Sequence, residues 1–577
     1  MSESLYCRTC ASVSRTRQAR YGLALPLLSR LLTLAGVVVL VGMLPWISGQ
    51  DPALALLRAR SGEQEATVET LNAIRQSLGL DRGPLSLLWE WLKGLLQGDA
   101  GNSWVSGRPV LPGMLQAAGV SLTLMLSAAT VALILATLLC APTLYQGLHG
   151  RARRSGGVFA ALFTALPEFL LASFLLIVGA VWLRWFPPYG WQGLHYAVLP
   201  SLALGIPAGG YLGRIIGDAL TGTFSENWIA TWSTAGIARR HIIVAVLKRT
   251  LPGVMPLVGL VLVSLTGGAI AVEKVFAIPG IGRATLGAAA AQDVPALQAG
   301  VLILLLMASL AGMFAAGVRL LILGHALRSG AMPVQEDSAV PAGRRAVWLP
   351  LGCLLLLALL LATGLPRDPE TSEFLRLQVP SLDLPFGADA MGRDLLARVA
   401  HGTLRTCLLA LVVSLSCLGI GLLIGLFPRL FTGPIEVTNA LPPVIAGLVV
   451  AAINGPTMAG AAIAVVAVSW APLAAHTAAL VTEINARPYI RMLPVLGTGP
   501  VRRSLFYILP ALLGPLFRHA MLRLPGIALA LASLGFLGLG APPPTPEWGR
   551  VLAEGMPYIE RGYWGVLAPA AALCVLS

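Results

Sequence analysis

The feature that most restricts this chain is the recurrence of long apolar runs separated by short polar loops. A membrane-crossing helix needs roughly 20 apolar residues. Runs of about that length occupy 23–45, 116–141, 157–183, 194–220, 251–272 and 296–322 in the first half. A second series follows at 347–364, 404–427, 434–453, 457–480, 510–534 and 562–577. Lipid offers no water to an open backbone, so runs of this length must be helices. Only 11% of the 577 residues are charged, against about 25% in an ordinary globular domain. The expected fold is an all-α polytopic membrane protein built as two tandem six-helix transmembrane domains.

The net charge of +14 would suggest nucleic acid in a soluble protein, but no basic face with interleaved aromatics occurs. The excess sits in alternate short loops. Arg151, Arg153 and Arg154, then Arg239, Arg240, Lys248 and Arg249, then Arg328, Arg344 and Arg345, then Arg429, then Arg487, Arg491, Arg502 and Arg503 all fall on one side. Residues 46–113, on the other side, hold six basic and seven acidic side chains. The positive-inside rule then puts the N-terminus in the cytoplasm of a bacterial inner membrane, with lipid as the surrounding solvent. The basic N-terminus and the run from Leu23 are not followed by a small-residue cleavage site, so a retained first helix is expected. The final run is short, which leaves a tilted last helix and a chain continuing past Ser577 both open. Cys7 and Cys10 form a lone pair without a second pair of ligands.

Two cytosolic stretches repeat. SENWIATWSTAGIARRHIIVAVLKRTLP spans Ser225 to Pro252, and EINARPYIRMLPVLGTGPVRRSLFYILP spans Glu483 to Pro510. Each has an aromatic (Trp228, Tyr489), a glycine eight residues later (Gly236, Gly497), a basic pair and Leu-Pro. Apolar spans ending in VFAIPGIG and GFLGLG follow. Gly497 lies 261 residues after Gly236, and Phe536 lies 260 after Phe276. Two landmarks with nearly one offset indicate an internal duplication. The expected division is a first domain at 1–322 with an outside insertion at 46–113, a Gly-, Pro- and charge-rich cytosolic linker at 323–346, and a second domain at 347–577. The insertion has amphipathic faces at Leu71, Ile74, Leu78 and Leu80, and at Leu87, Leu88, Trp91 and Leu95.

Longer motifs carry a family likeness. The first half resembles the B-type subunit of the dipeptide, oligopeptide, nickel and opine ABC importer permeases, in GQDPALALLR, LGLD at 78–81, GRPV at 107–110 and VEKVFAIPGIG at 272–282. The second half resembles the C-type subunit, in FGADAMGRD at 386–394, SLGFLGLGAPPPTPEWG at 533–549 and LAEG at 552–555. The resemblance implies two type I importer domains fused in one chain. It also implies an inward-facing docking site for ATPases at Trp228, Ala230, Trp232 and Gly236, and at Tyr489, Arg491 and Gly497. The motif Asp389, Gly392, Arg393 and Asp394 is its periplasmic signature. The implied partners are two ABC ATPase subunits, carrying ATP and Mg, and a periplasmic solute-binding protein. Two departures stand out. The family keeps small or acidic residues before the docking glycine, where this chain has Ala230, Thr231 and Trp232, and then Arg491, Met492, Leu493 and Pro494. The glutamate that the B-type pattern keeps at Glu273 has Leu531 at its C-type position.

The docking logic also follows from the residues. A polar helix between two spans leaves Trp228, Ile229 and Trp232 in need of a protein surface, and Gly236 and Gly497 permit a tight turn. Pro494 is expected to shorten the second helix. The chain contains no Gly-Lys dipeptide, so no P-loop and no ATP site of its own, and it is expected to bind no cofactor and to be no enzyme. Ionisable groups inside spans are candidates for a translocation path, here Glu168, Arg518, His519 and Arg523, with an ion pair to Glu168 as the plain alternative. His195, His401, His476 and His519 show no ligand spacing, so no metal site is expected. The function so implied is ATP-driven import of short peptides. Import of nickel or metal-opine chelates by the same machinery is one alternative, and an ion-gradient-driven secondary transporter is another.

Overall fold

The structure is a computed structural model that describes residues 29, 31–47, 53–54, 57, 67–77, 79, 82–150, 157–323, 348–439 and 441–576. The Cys7–Cys10 pair, the basic loop 151–156, nearly all of the proposed linker 323–346, and Leu78 and Leu80 lie outside these residues. Among the described residues there are helices and no strands. The helices of the first half include α1 (Val68–Ser77), α2 (Pro84–Leu96), α3 (Val110–Leu148), α4 (Glu168–Leu175), α5 (Leu194–Phe224), α6 (Asn227–Thr234), α7 (Arg239–Val275), α8 (Ile281–Ala290) and α9 (Val294–Leu323). The second half contributes α10 (Trp348–Gly364), α11 (Leu395–Gly425), α12 (Pro443–Asn454), α13 (Met458–Ala486), α14 (Pro488–Met492), α15 (Leu509–Leu537), α16 (Trp548–Gly555) and α17 (Trp564–Leu576).

Every one of the twelve apolar runs contains a helix, but among the described residues only six helices are long and apolar enough to cross a membrane by themselves. The third run of each half is the instructive departure. It breaks at Leu166–Pro167 before α4, and again just before Pro442–Pro443 at the start of α12. A proline removes a backbone donor and cannot follow an α-conformation comfortably, so it begins a helix better than it continues one. Prolines also sit inside α5 (Pro200, Pro207), α13 (Pro472) and α15 (Pro515, Pro525) without ending them. Neighbouring helices in a bundle can satisfy the freed carbonyls there.

Within each half, close helix packing rests on small residues. On α5, Gly205, Gly209 and Gly213 recur every four residues. A Cβ on each would lie 2.6 Å from Val131, 2.9 Å from the Ala132 carbonyl and 2.8 Å from Leu139 on α3. Their facing partners Ala128, Ala132 and Ala136 are all buried. Lipid tails are as apolar as any leucine, so such helices associate through close van der Waals contact between small residues. The second half reverses the donors: Gly421 and Gly425 on α11 meet Leu473, Ala474 and Thr477 on α13.

The halves meet through their broken spans. Segment α12 packs on α7, α8 and α9 of the first half, and Phe169 of α4 stacks on Phe536 of α15 at 5.2 Å and 28°. Two adjacent glycines of α7 accept both breaks. A Cβ on Gly267 would sit 2.7 Å from Pro442 of the other half, and one on Gly268 would sit 2.9 Å from the Glu168 carboxylate of its own half. Lys274 closes this seam, donating from Nζ to the Phe536 carbonyl at 3.0 Å, with its ammonium 5.5 Å from that ring's centre. The 46–113 insertion packs on the first helix as well. Leu87, Leu88, Trp91 and Leu95 of α2 are its half-buried face, and a Cβ on Gly42 would sit 2.9 Å from Trp91. The first helix is held in turn by the buried Gln298 of α9, which donates to the Val41 and Gly42 carbonyls.

Candidate functional site

The two repeated helix–turn segments correspond in register. Helices α6 and α14 begin 261 positions apart, at Asn227 and Pro488. Each ends in the same pair of hydrogen bonds. Gly236 donates to Ser233 (3.2 Å) and Ile237 to Trp232 (3.1 Å), as Gly497 donates to Pro494 (3.1 Å) and Thr498 to Leu493 (3.0 Å). This six-to-one closure requires a left-handed residue, and Gly236 and Gly497 supply it with φ of 76° and 79°. The anchors correspond too: the buried Ile229 and half-buried Trp232 become the buried Ile490 and Leu493. Pro494 has the expected effect, since α14 stops at Met492 whereas α6 runs to Thr234.

One expectation is corrected. Trp228, Ile229 and Trp232 do not await a partner, because they pack on this chain's own Cys140, Leu220, Phe224, Ile242 and Val246. Trp228 and Trp232 meet edge to face at 5.0 Å. The Trp228 indole donates to Glu226 at 2.7 Å, and Glu226 pairs with Arg249. What α6 leaves exposed is Ala230, Thr231, Ser233, Thr234, Ala235 and Gly236, a small and polar surface. The second hairpin exposes Tyr489, Arg491, Met492, Val495 and Leu496 instead, the last two by 75% and 74%. The two hairpins therefore share a backbone and differ in surface chemistry.

The candidate path residues fall into two groups. Glu168 is the first residue of α4, where the helix dipole favours a carboxylate. It lines a cavity of about 270 Å³ with Thr164, Tyr211, Ser264 and Gly268. His519 and Arg523 lie one turn apart on a half-buried face of α15, while Arg518 is exposed. Among the described residues no ion pair joins Glu168 to Arg518, His519 or Arg523, so the pairing alternative is not what the structure contains. It does unite two histidines that sequence spacing left unrelated: His476 and His519 stack at 4.3 Å and 22°. Among the described residues, no three His, Cys, Asp or Glu side chains converge as a metal site.

On the opposite side, GRPV and GRD prove to be one turn used twice. Gly107 and Gly392 both have positive φ (69° and 80°), and α3 and α11 start at the third residue after each. A short antiparallel bridge closes each turn, Asn102 with Pro109 and Ala388 with Asp394. Asp394 caps α11 by accepting from Leu396 (2.8 Å) and pairs with Arg367 (2.9 Å). The Asp389 carboxylate accepts from the Met391 and Arg393 amides (2.8 and 2.9 Å) and from the Arg393 guanidinium (2.7 Å). Burial works to raise this carboxyl, but the Arg393 amide and the Arg398 and Arg393 guanidiniums outweigh it and hold it below the usual carboxylate range. In the first half the equivalent turn is held from elsewhere, by Asp293 accepting from the Ser103 hydroxyl and the Trp104 amide.

A second correction concerns Glu273. It is fully buried and organises the turn after α7, accepting from Ser121 Oγ and the Arg283 amide (2.9 Å). Leu531, the expected counterpart, is buried in the core, and the 260-residue offset between Phe276 and Phe536 puts Ser533 opposite Glu273. The second half nevertheless has its carboxylate: Glu547 folds back from downstream, and its oxygens would touch a Cβ on Gly535 or Gly540. Burial pushes the Glu547 carboxyl up to about 7, against the opposing Ala541 amide and Arg550. Sequence alignment of the two halves hides this substitution, because the group arrives from a different element. The signal that was available is the glycine spacing of GFLGLG, which leaves room for it.

Comparison with known proteins agrees with this geometry. Residues 133–323 and 418–577 each match the family described as binding-protein-dependent transport system inner membrane component. The chain is 37% identical over 197 residues to the di/tripeptide transport system permease protein DppC of Pseudomonas aeruginosa, covering 33% of this chain and 65% of that relative. It is 32% identical over 200 residues to the dipeptide transport system permease protein DppC of Haemophilus influenzae, covering 33% and 67%. Against the glutathione transport system permease protein GsiC of Shigella flexneri it is 30% identical over 279 residues, covering 48% and 89%. Carrying that family's domain twice on two packed all-α halves, this chain belongs to the inner membrane components of binding-protein-dependent transport systems.

Proposed function

We propose that the chain forms both transmembrane halves, 1–322 and 347–577 joined by 323–346, of an ATP-driven importer of short peptides. The observation that carries this reading is the paired hairpin. Two exposed turns closed by the same hydrogen bonds and set on packed anchors are suited to receive two related partners. The chain has no phosphate-binding loop, so the partners are two ATPase subunits bearing ATP and Mg, at Ala230, Gly236, Arg491, Gly497 and their neighbours. Trp228, Trp232 and Leu493 act as the internal anchors of those surfaces, and Tyr489 remains a contact. The unlike surfaces of α6 and α14 favour two non-identical ATPases. A periplasmic solute-binding protein delivers cargo onto the side carrying the GRPV and GRD turns, with the N-terminus cytoplasmic.

Rocking of the two halves about the α4, α12 and α7 seam would open the space beside Glu168, His519 and Arg523 to one side and then the other. The peptide systems named among the relatives favour peptide cargo over nickel or metal-opine chelates. Reconstitution of this chain with its ATPases and binding protein in liposomes tests the reading: labelled di- and tripeptides should enter only with ATP. Uptake that follows an ion gradient and ignores ATP would replace it with a secondary transporter.

A further inference from the structure

The GRD turn of the second half carries a feature that its counterpart lacks. Arg398, on the second turn of α11, is fully buried, and its first-half equivalent is Gly113. Its Nη1 donates both to Asp389 and, at 2.8 Å, to Glu554 of α16. Glu554 also pairs with Arg393 (2.9 Å) and Arg550 (3.0 Å). One nitrogen of Arg398 thus serves both carboxylates, and its Nε and Nη2 are buried with no hydrogen-bond partner. A buried donor left unmade is costly. The cluster is also unbalanced, with three guanidiniums (Arg393, Arg398, Arg550) around two carboxylates.

Arg398, Arg393, Asp389 and Glu554 line the polar end of a cavity of about 550 Å³, whose apolar walls include Pro543, Pro544 and Val551. Met391 and Tyr558 line it as well and are 57% and 44% exposed. Apolar walls, a few convergent polar groups and a volume within about 300–1,000 Å³ are the marks of a small-molecule site.

We propose that this cavity binds the free carboxylate of a small organic molecule, with the unpartnered face of the Arg398 guanidinium as its receptor. A planar guanidinium with two adjacent free N–H groups matches a carboxylate in bidentate fashion. Resting on the importer reading, the natural occupant is the C-terminal carboxylate of a short peptide arriving from outside, which makes the cavity a waystation.

The test uses the full chain in lipid nanodiscs and isothermal titration calorimetry with triglycine, triglycine amide and acetate. Triglycine should bind, acetate should compete with it, and the amide should bind about tenfold more weakly or worse. Met391→Trp, which fills the exposed side of the cavity, should abolish binding without moving the thermal melting temperature. Arg398→Lys keeps the charge facing Asp389 and Glu554 but removes the planar fork, and should abolish binding as well. Equal binding of triglycine and its amide, binding that survives Met391→Trp, or no binding at millimolar concentration would overturn the proposal. ATP-driven peptide uptake by a protein that binds no triglycine would sink the cavity alone. Carboxylate binding by a protein that imports no peptide would sink the importer reading alone.

Discussion

Gly236 offers the sharpest test of how a turn serves a membrane machine. Its φ is 76°, and nothing lies within 4 Å of the place a Cβ would occupy. A substitution there meets no clash, so its whole cost is backbone strain. For alanine in the left-handed region that cost is about 1–2 kcal/mol, which is roughly a 5–30-fold fall in the fraction of molecules holding the turn. Asparagine tolerates the left-handed region better, and a β-branched valine tolerates it worst. The expected order of ATP hydrolysis coupled to transport, in liposomes holding the assembled complex, is therefore wild type, Gly236→Asn, Gly236→Ala, Gly236→Val. Membrane insertion and global melting should change little, because the turn is exposed and can unwind locally. Valine that couples like the wild type, or asparagine as damaging as valine, would refute the argument from φ.

Three further outcomes follow from the GRD turn and Glu547. Gly392→Ala places a Cβ 2.3 Å from the Phe374 carbonyl at a φ of 80°, so its loss of stability should exceed the ~1–2 kcal/mol of left-handed strain alone; thermal unfolding in detergent beside Gly236→Ala checks this. Asp389→Ala leaves Arg398 and Arg393 with less than their share of carboxylate and should cost about 3–5 kcal/mol, which would appear as poor yield of folded protein. Glu547 keeps its proton in the folded state up to about pH 7, whereas the unfolded chain loses it near the ordinary glutamate value. Its contribution is therefore complete at acidic pH and lost as pH climbs through about 7. It amounts to about 3 kcal/mol at most, and Glu547→Gln should flatten the dependence of melting temperature on pH over that window.

Much of the site was legible because it is local. The φ of Gly236 and Gly497 is written in the residue type, the shortening of α14 in Pro494, and the equivalence of the hairpins in a constant offset. The errors share a cause as well. Trp228 and Trp232 looked like an unpartnered face because a helical wheel does not show that Cys140 and Val246 come to cover them. Glu547 is hidden from a comparison of the two halves because the 260-residue offset leads from Glu273 to Ser533, while the carboxylate arrives in space from beyond α15. The pair Gly267–Gly268 was visible in the sequence, yet only the folded seam shows that one glycine receives Pro442 and the other Glu168.

By itself the sequence determined that this chain is a duplicated bundle of membrane helices with two like turns on one side and basic loops beside them. Hydrophobic length, charge placement and glycine act within a few residues, and lipid leaves the backbone no alternative to helix. Only the tertiary structure decided which charges meet. Arg398, Asp389 and Glu554 are brought together from α11, the turn before it and α16, and His476 meets His519 across two spans, because helix packing sets distances that chain separation does not encode. The same packing left two donors of Arg398 bare beside a cavity, a property that belongs to no single segment of the sequence.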